Sequence, residues 1–107
     1  MPRSDDQQPL VQAAALLGRP WTILIIDALG RSPCRFTELT ARLPGISTNL
    51  LTERLRQLQA SGVVERDAGS LPEFVITYRQ TELGAQLNPI IEQLAAWAFG
   101  LRDSPSR

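Results

Sequence analysis

The side chains with the clearest chemical potential lie on one segment, from Ser47 to Ala60. Its leucines at positions 51, 55 and 58 repeat at helical spacing and predict the buried side of an amphipathic helix. At about 100° per residue, the opposite side carries Asn49, Glu53, Arg56 and Ala60, flanked by Thr48 and Thr52. Asparagine can pair with adenine, arginine with guanine or phosphate, and threonine can contact thymine. This face could therefore read duplex DNA, although an ordinary solvated face would look similar and Glu53 would repel phosphates.

The start of this segment offers a second polar feature. Ser47 or Thr48 can cap the helix through its hydroxyl oxygen. The free backbone N–H groups of a helix N-terminus also favour a phosphate. Capping and phosphate binding are compatible, so both residues are candidates for DNA contact.

Arginines elsewhere in the chain could hold the DNA backbone without reading sequence. The candidates are Arg35, Arg54, Arg66 and Arg79. Arg54 lies beside the leucine stripe, so the alternative for it is an internal ion pair, for example with Glu38. The two arginines near the predicted hairpin have Asp67 and Glu73 as neighbours, which weakens the case for phosphate contact there.

The composition argues against most enzyme classes. The chain has no histidine and one cysteine, so it cannot form a nitrogen and sulfur zinc site or a nucleophile activated by imidazole. No glycine-rich phosphate loop is present, and we predict no catalytic residues, metal or cofactor. Cys34 lies next to Arg35 and near a helix start, which would lower its pKa and suit an oxidation sensor. The alternative is a small filler residue in a turn.

Length and charge set the remaining bounds. The 107 residues predict a single domain over 1–107, with disordered ends at 1–7 and 103–107. The net charge is zero, which argues against nucleic-acid binding. However, the stretch from 31 to 79 holds seven arginines and five acidic residues, a net charge of +2. No apolar stretch approaches the ~20 residues of a membrane span, and no signal sequence opens the chain, so we expect a cytoplasmic protein.

The polar face needs a scaffold, and the spacing of apolar residues outlines one. A helix is predicted from Pro9 to Gly18, and residues 21–29 fit either a helix or a buried strand. A helix over 36–43, a Pro-Gly turn and the helix ending near Ala60 form a helix-turn-helix pattern. Strands at 63–66 and 74–79, joined by a turn at 67–72, predict a hairpin directly after it.

Thr81 caps a predicted C-terminal helix in which Pro89 causes a kink or a fresh start with Asn88 as cap. Its apolar face exceeds what a chain of this size can bury, so it needs a partner surface. The simplest partner is a second copy, related by a two-fold axis. The predicted dimer interface contains Leu10, Ala14, Leu17, Leu87, Ile90, Ile91, Leu94, Trp97 and Leu101. The alternative is that this helix folds back on its own core.

Together these residues resemble the HxlR-type branch of winged helix-turn-helix regulators, over roughly residues 8–101. The matching features, in order, are Leu17-Gly18, Trp21-Thr22, Arg35-Phe36, Glu38-Leu39, LPGIS at 43–47, LTERLRQL at 51–58, Gly62, Arg66, Pro72, Tyr78, Thr81-Glu82, Gly84 and Trp97. The resemblance implies a mainly α fold with a small β-hairpin (α+β), a winged helix-turn-helix with N- and C-terminal dimerisation helices. It also implies that residues 21–29 are helical and that the protein is a dimeric transcription regulator.

Two departures from the family pattern stand out. Some members carry a sensing cysteine before proline near the N-terminus, whereas this chain has Gln8-Pro9. The family usually has leucine before the threonine that follows the second strand, but here the residue is Gln80. The pattern offers no functional reason for this polar residue.

The sequence thus predicts a homodimer that binds double-stranded DNA, most simply as a repressor, with no membrane partner. A small apolar effector could bind between the terminal helices and the domain body, near Trp21 and Trp97. The alternative function is a protein-interaction module that kept the winged fold and lost DNA binding. Zero net charge and Glu53 favour that alternative.

Overall fold

The computed structural model describes residues 7–69 and 75–102. Within them the chain forms six helices and one two-stranded antiparallel sheet, as the predicted fold class requires. The elements are α1 (Gln8–Leu17), α2 (Thr22–Arg31), α3 (Phe36–Arg42), α4 (Thr48–Ala60), β1 (Val64–Asp67), β2 (Thr77–Gln80), α5 (Glu82–Ala85) and α6 (Asn88–Ala98). The ends predicted to be disordered, 1–7 and 103–107, lie outside the described residues except for Gln7, which immediately precedes α1.

The first two helices are separated by the Gly18-Arg19-Pro20 break. Gly18 ends α1, and its N–H donates to the Ala14 carbonyl at 2.8 Å. The segment that the pattern left open between helix and strand is the helix α2, as the family resemblance implied. Its buried apolar residues, Ile25, Ile26, Ala28 and Leu29, line one side of a ten-residue helix. No single helix of the described chain is long and apolar enough to cross a membrane; α1 and α2 meet the criterion only as a pair bent by 82°.

The helix-turn-helix consists of α3, a tight turn and α4, as the spacing predicts. Glu38 accepts a hydrogen bond from the Arg35 N–H at 2.7 Å and so closes the first turn of α3. Gly45 in the turn has φ +99°, a conformation that glycine adopts without steric cost. Ser47 is the N-cap of α4, and its hydroxyl oxygen accepts from the Leu50 N–H at 3.0 Å.

The hairpin follows α4 directly and forms the wing. In the register, Val64 lies opposite Gln80 and Asp67 opposite Thr77. Both strands end one residue later than predicted; β1 keeps the predicted length of four residues, whereas β2 is shorter because residues 75–76 belong to no strand. The predicted strand start at 74 and the second half of the predicted turn, residues 70–72, lie outside the described residues.

A third segment pairs with the wing before α3. Cys34 and Tyr78 exchange backbone hydrogen bonds of 2.9 and 2.7 Å in an isolated antiparallel bridge. This pairing fixes the wing against the start of α3. It therefore fixes the position of the hairpin relative to the helix-turn-helix.

The C-terminal region contains two helices rather than one. Thr81 caps α5 by accepting from the Gly84 N–H at 3.0 Å, and α6 makes a fresh start after it. The prediction that Asn88 caps this start is wrong, because Leu87 occupies the cap position and the Asn88 side chain bonds to Gln80 instead. No residue of α6 is buried in the monomer.

Candidate DNA-binding surface

Helix α4 separates its apolar and polar residues cleanly. Leu51, Leu55 and Leu58 are at most 1% exposed and belong to the hydrophobic core. The predicted reading residues are all exposed: Ser47, Thr48, Asn49, Thr52 and Arg56, together with Glu53. A rigid, fully helical segment thus presents hydrogen-bonding groups on its outer side, and its width suits the major groove of B-DNA.

The structure brings part of α4 and the wing to one groove. Thr52 and Arg56 of α4 line it together with Arg66 of β1, and its volume is about 330 Å³. Arg66 lies opposite Tyr78 in the hairpin, and Tyr78 forms another part of the wall. Two arginines from different elements therefore face the same concave surface, where one nucleic-acid backbone could contact both.

Arg54 does not belong to this surface. Its residue exposure is only 9%, and its Nε donates to the Pro20 carbonyl oxygen at 2.8 Å. A second bond runs from Nη1 to Gln57 at 3.3 Å. Prediction of Arg54 as a phosphate contact is therefore wrong, since a buried guanidinium held by a carbonyl cannot reach DNA. The alternative was right in assigning an internal role but wrong in naming Glu38 as the partner.

Arg79 is exposed but already paired. It lies opposite Glu65 in the register, and its Nε is 2.6 Å from the Glu65 carboxylate. Its Nη1 is 3.4 Å from Asp67. The hydrogen bond and charge of Glu65, with a smaller contribution from Asp67, raise the pKa of the Arg79 guanidinium. Arg66 forms no salt bridge within the described ranges, and Arg35 is exposed at the start of α3. The guanidinium groups of Arg66 and Arg35 are therefore more accessible to a phosphate than that of Arg79.

The residues predicted to form a dimer interface divide into two groups. Leu10, Ala14, Ile90, Leu94, Trp97 and Leu101 are exposed, whereas Leu17, Leu87 and Ile91 pack partly against the core. Sequence reasoning missed two exposed apolar residues of the same region, Val11 (50%) and Phe99 (91%). Both fall outside the helical repeat that defined the stripe, so periodicity gave no signal for them.

The two tryptophans predicted to share an effector pocket do not line one cavity. Trp21 lines a cleft of about 620 Å³ formed by α2 and the helix-turn-helix turn. Leu24, Arg31, Arg42 and Pro44 form other parts of its wall. Trp97 is not part of this wall and is 66% exposed on α6. Trp21 also has φ +74°, which is costly for a bulky residue and tends to occur at functional sites.

Cys34 is fully buried, contrary to what a sensing thiol requires. Burial raises the pKa of the thiol, and this effect exceeds the opposite influence of Arg42. The expectation of a lowered pKa is therefore wrong, because the nearby guanidinium does not compensate for the loss of solvent. Arg42 Nη1 lies 3.1 Å from the sulfur and also donates to the Ala28 carbonyl. Within residues 7–69 and 75–102, no cluster of three acidic, cysteine or histidine side chains could hold a metal ion.

Two helices joined by a tight turn, a polar outer face on the second helix and a hairpin beside it define a winged helix-turn-helix DNA-binding protein. A family model described as HxlR-like helix-turn-helix matches residues 16–104. The chain belongs to this family and is an HxlR-type transcription regulator.

Known relatives agree with this assignment. The chain is 41% identical to the HTH-type transcriptional regulator YodB of Bacillus subtilis (strain 168) over 88 residues. This alignment covers 80% of this chain and 77% of YodB. The crystal structure of quinone-bound YodB has a TM-score of 0.77 and 37% identity, covering 88% of this chain and 99% of that one. A MarR-family regulator from Porphyromonas gingivalis W83 has a TM-score of 0.81 and 29% identity, covering 95% of this chain and 100% of that one.

Proposed function

We propose that this regulator is a homodimeric repressor that inserts α4 into the major groove of double-stranded DNA. The observation that carries the proposal is the groove shared by Thr52, Arg56 and Arg66, which joins the outer face of α4 to the wing. Asn49, Thr52 and Arg56 are the candidates for base contacts, because all three are exposed on that face. Arg35, Arg66, Ser47 and Thr48 are the candidates for phosphate contacts.

The experiment for DNA binding is selection of a binding site from random duplexes and from the DNA upstream of the gene, followed by titration at several salt concentrations. Affinity is expected to fall steeply with salt, as counterion release requires. Arg56→Ala should weaken the selected site most. Arg19→Ala is the matched control, because it removes an exposed arginine beside the C-terminal end of α4. Absence of salt-dependent binding even at low ionic strength would instead favour a winged protein-interaction module.

The proposed dimer is supported by the apolar surface of α1 and α6. Leu10, Ile90, Trp97 and Phe99 are each more than half exposed in the monomer, which is costly unless another surface covers them. A two-fold dimer would place two copies of α4 about 34 Å apart, one turn of DNA. Light scattering should report a dimer that Trp97→Glu converts to a monomer. Ala41→Glu adds the same charge at an exposed position of α3, outside the apolar surface of α1 and α6, and should leave the dimer intact. A monomeric wild type would refute the proposal.

Repression follows if a bound dimer blocks access to a promoter. In vitro transcription from a promoter that overlaps the selected site should therefore fall as protein is added. A rise in transcript would show that the regulator is an activator.

An effector is proposed to bind in the cleft lined by Trp21. The ring of Trp21 lies 3.8 Å from the position of a Cβ built on Gly45, so the cleft touches the turn that precedes α4. A small apolar ligand there could alter the position of α4; a quinone is a suitable first probe because YodB has been crystallised with one. In Trp97→Phe, which keeps only Trp21, the probe should change fluorescence and DNA affinity, and Leu24→Arg should abolish both changes. A probe that changes neither would leave the cleft without an effector role.

A further inference from the structure

The polar residue that breaks the family pattern at position 80 has a defined partner. Gln80 and Asn88 form a reciprocal amide pair, in which Gln80 Nε2 donates to Asn88 Oδ1 at 2.8 Å. Asn88 Nδ2 donates back to Gln80 Oε1 at 3.0 Å. Gln80 is the last residue of β2 and Asn88 the first residue of α6, so the pair joins the wing to the C-terminal helix.

A third element takes part in the same contact. The second hydrogen of Gln80 Nε2 is donated to the Ile26 carbonyl of α2 at 3.0 Å. Because a carbonyl can only accept, this bond fixes which end of the Gln80 amide is nitrogen, and therefore fixes the direction of both bonds to Asn88. The three hydrogen bonds share two half-buried side chains, so they hold β2, α2 and α6 in one arrangement.

The backbone of α2 leaves just enough room for the pair. A Cβ built on Gly30 would lie 2.8 Å from Asn88 Oδ1 and 3.2 Å from Gln80 Nε2. Both distances are shorter than ordinary contacts, so any larger residue at position 30 would displace the two amides. The absence of a side chain at Gly30 thus leaves room for the amide pair to pack against α2.

We propose that the Gln80–Asn88 pair positions α6 relative to the wing and thereby sets the distance between the two copies of α4 in the dimer. The proposal rests on the proposed homodimer, because α6 is part of its predicted interface. The wing and α4 contribute buried residues to the core, whereas α6 contributes none and reaches the core through the half-buried Ile91. The amide pair is therefore a second contact that fixes the direction of α6. Gln80, Asn88 and Gly30 are accordingly positioning residues for operator spacing, and none of them needs to touch DNA.

The experiment measures affinity for the selected operator and for versions with one base pair added or removed between the half-sites. One base pair changes the separation by about 3.4 Å, and wild-type affinity should fall about tenfold or more. We call this loss of affinity the spacing penalty. In Gln80→Leu, which restores the apolar residue usual in the family, the spacing penalty should shrink to about threefold or less. Gln86→Leu is the matched control and should keep the wild-type spacing penalty, because the Gln86 side chain is exposed and its side-chain amide forms no hydrogen bond within the described ranges.

Two further variants separate positioning from folding. Gly30→Ala keeps both amides but displaces them, so it should reduce the spacing penalty in the same direction as Gln80→Leu. The exchanged pair, Gln80→Asn with Asn88→Gln, keeps the summed side-chain length and should restore the penalty. Dimers of Gln80→Leu and Gly30→Ala that discriminate spacing as wild type does would overturn the proposal. A wild type that is monomeric or does not bind DNA would instead refute the proposed function, so the two failures are distinguishable.

Discussion

Arg54 in the middle of α4 donates to the carbonyl oxygen of Pro20, 34 positions earlier in the chain, at 2.8 Å. Pro20 belongs to the break between α1 and α2, and this bond attaches that break to α4. The guanidinium is nearly buried, so it is withdrawn from the face that carries Asn49 and Arg56. Neighbouring arginines of one helix thus have different tasks: Arg54 holds the fold, and Arg56 faces outward.

The first prediction concerns this division. Arg54→Ala removes a hydrogen bond from a charged donor and should lower the free energy of unfolding by about 2 kcal/mol. Arg56→Ala, at an exposed position, should lower it by less than about 0.5 kcal/mol while weakening operator binding. Urea unfolding at one fixed protein concentration measures the first effect, and operator titration measures the second. An Arg54→Ala protein with unchanged stability and weakened DNA binding would show that Arg54 contacts DNA after all.

The second prediction concerns the wing. Arg79 is held by Glu65 and Asp67, whereas Arg66 faces the groove beside Arg56. Arg66→Ala should therefore reduce the slope of log affinity against log salt by about 1, as loss of one phosphate contact does. Arg79→Ala should change the slope less, because its charge is largely compensated. Glu65→Gln should strengthen binding, since it frees Arg79 and removes a negative charge; equal slopes for the two arginine variants would contradict this assignment.

Local patterns in the sequence were sufficient to predict the helix-turn-helix and the hairpin that follows it. The leucine stripe, the Pro-Gly turn and the cap expected at Ser47 or Thr48 correctly predicted α4, because amphipathic spacing and capping act within a few residues. Residues 21–29 were undecided from the pattern alone, since Ile23, Ile25 and Ile26 favour strands as readily as one face of a buried helix. The helix is settled by packing of that face against the core, which is a tertiary effect.

The partners of individual polar residues could not be predicted in the same way. The partner of Arg54 is a backbone carbonyl in a distant turn, and the pairing of Arg79 with Glu65 depends on a strand register that the turn region determines. Gln80 was visible as a departure, but Asn88 becomes its partner only because α6 makes a fresh start close to the end of β2. Sequence spacing identifies such residues as unusual, and the three-dimensional fold supplies the reason.

The third prediction concerns the close packing of α5 against Val63, which lies between α4 and β1. A Cβ built on Gly84 would lie 2.0 Å from the Val63 carbonyl oxygen and 3.0 Å from its carbon, both backbone atoms that cannot move aside alone. Gly84→Ala should therefore destabilise the protein by about 2 kcal/mol or more, comparable with overpacking a core. Gly100→Ala is the control, because its nearest neighbour would be 3.6 Å away. Thermal unfolding of both variants at equal concentration measures the difference, and a Gly84→Ala protein as stable as wild type would show that α5 can move away from Val63.

The last prediction concerns the only cysteine. Because burial raises the pKa of the Cys34 thiol, it should remain protonated at pH 7–8 and be poorly accessible to reagents. The native protein should react with iodoacetamide at least about tenfold more slowly than the urea-unfolded chain, since the thiolate is the reactive form. The native rate should keep rising above the pH at which the unfolded thiol has fully ionised, because the folded group ionises at higher pH. Diamide should leave operator affinity unchanged in wild type, as in Cys34→Ala. Rapid alkylation of the native protein, or a loss of operator affinity on oxidation that Cys34→Ala prevents, would contradict this prediction and support Cys34 as an oxidation sensor.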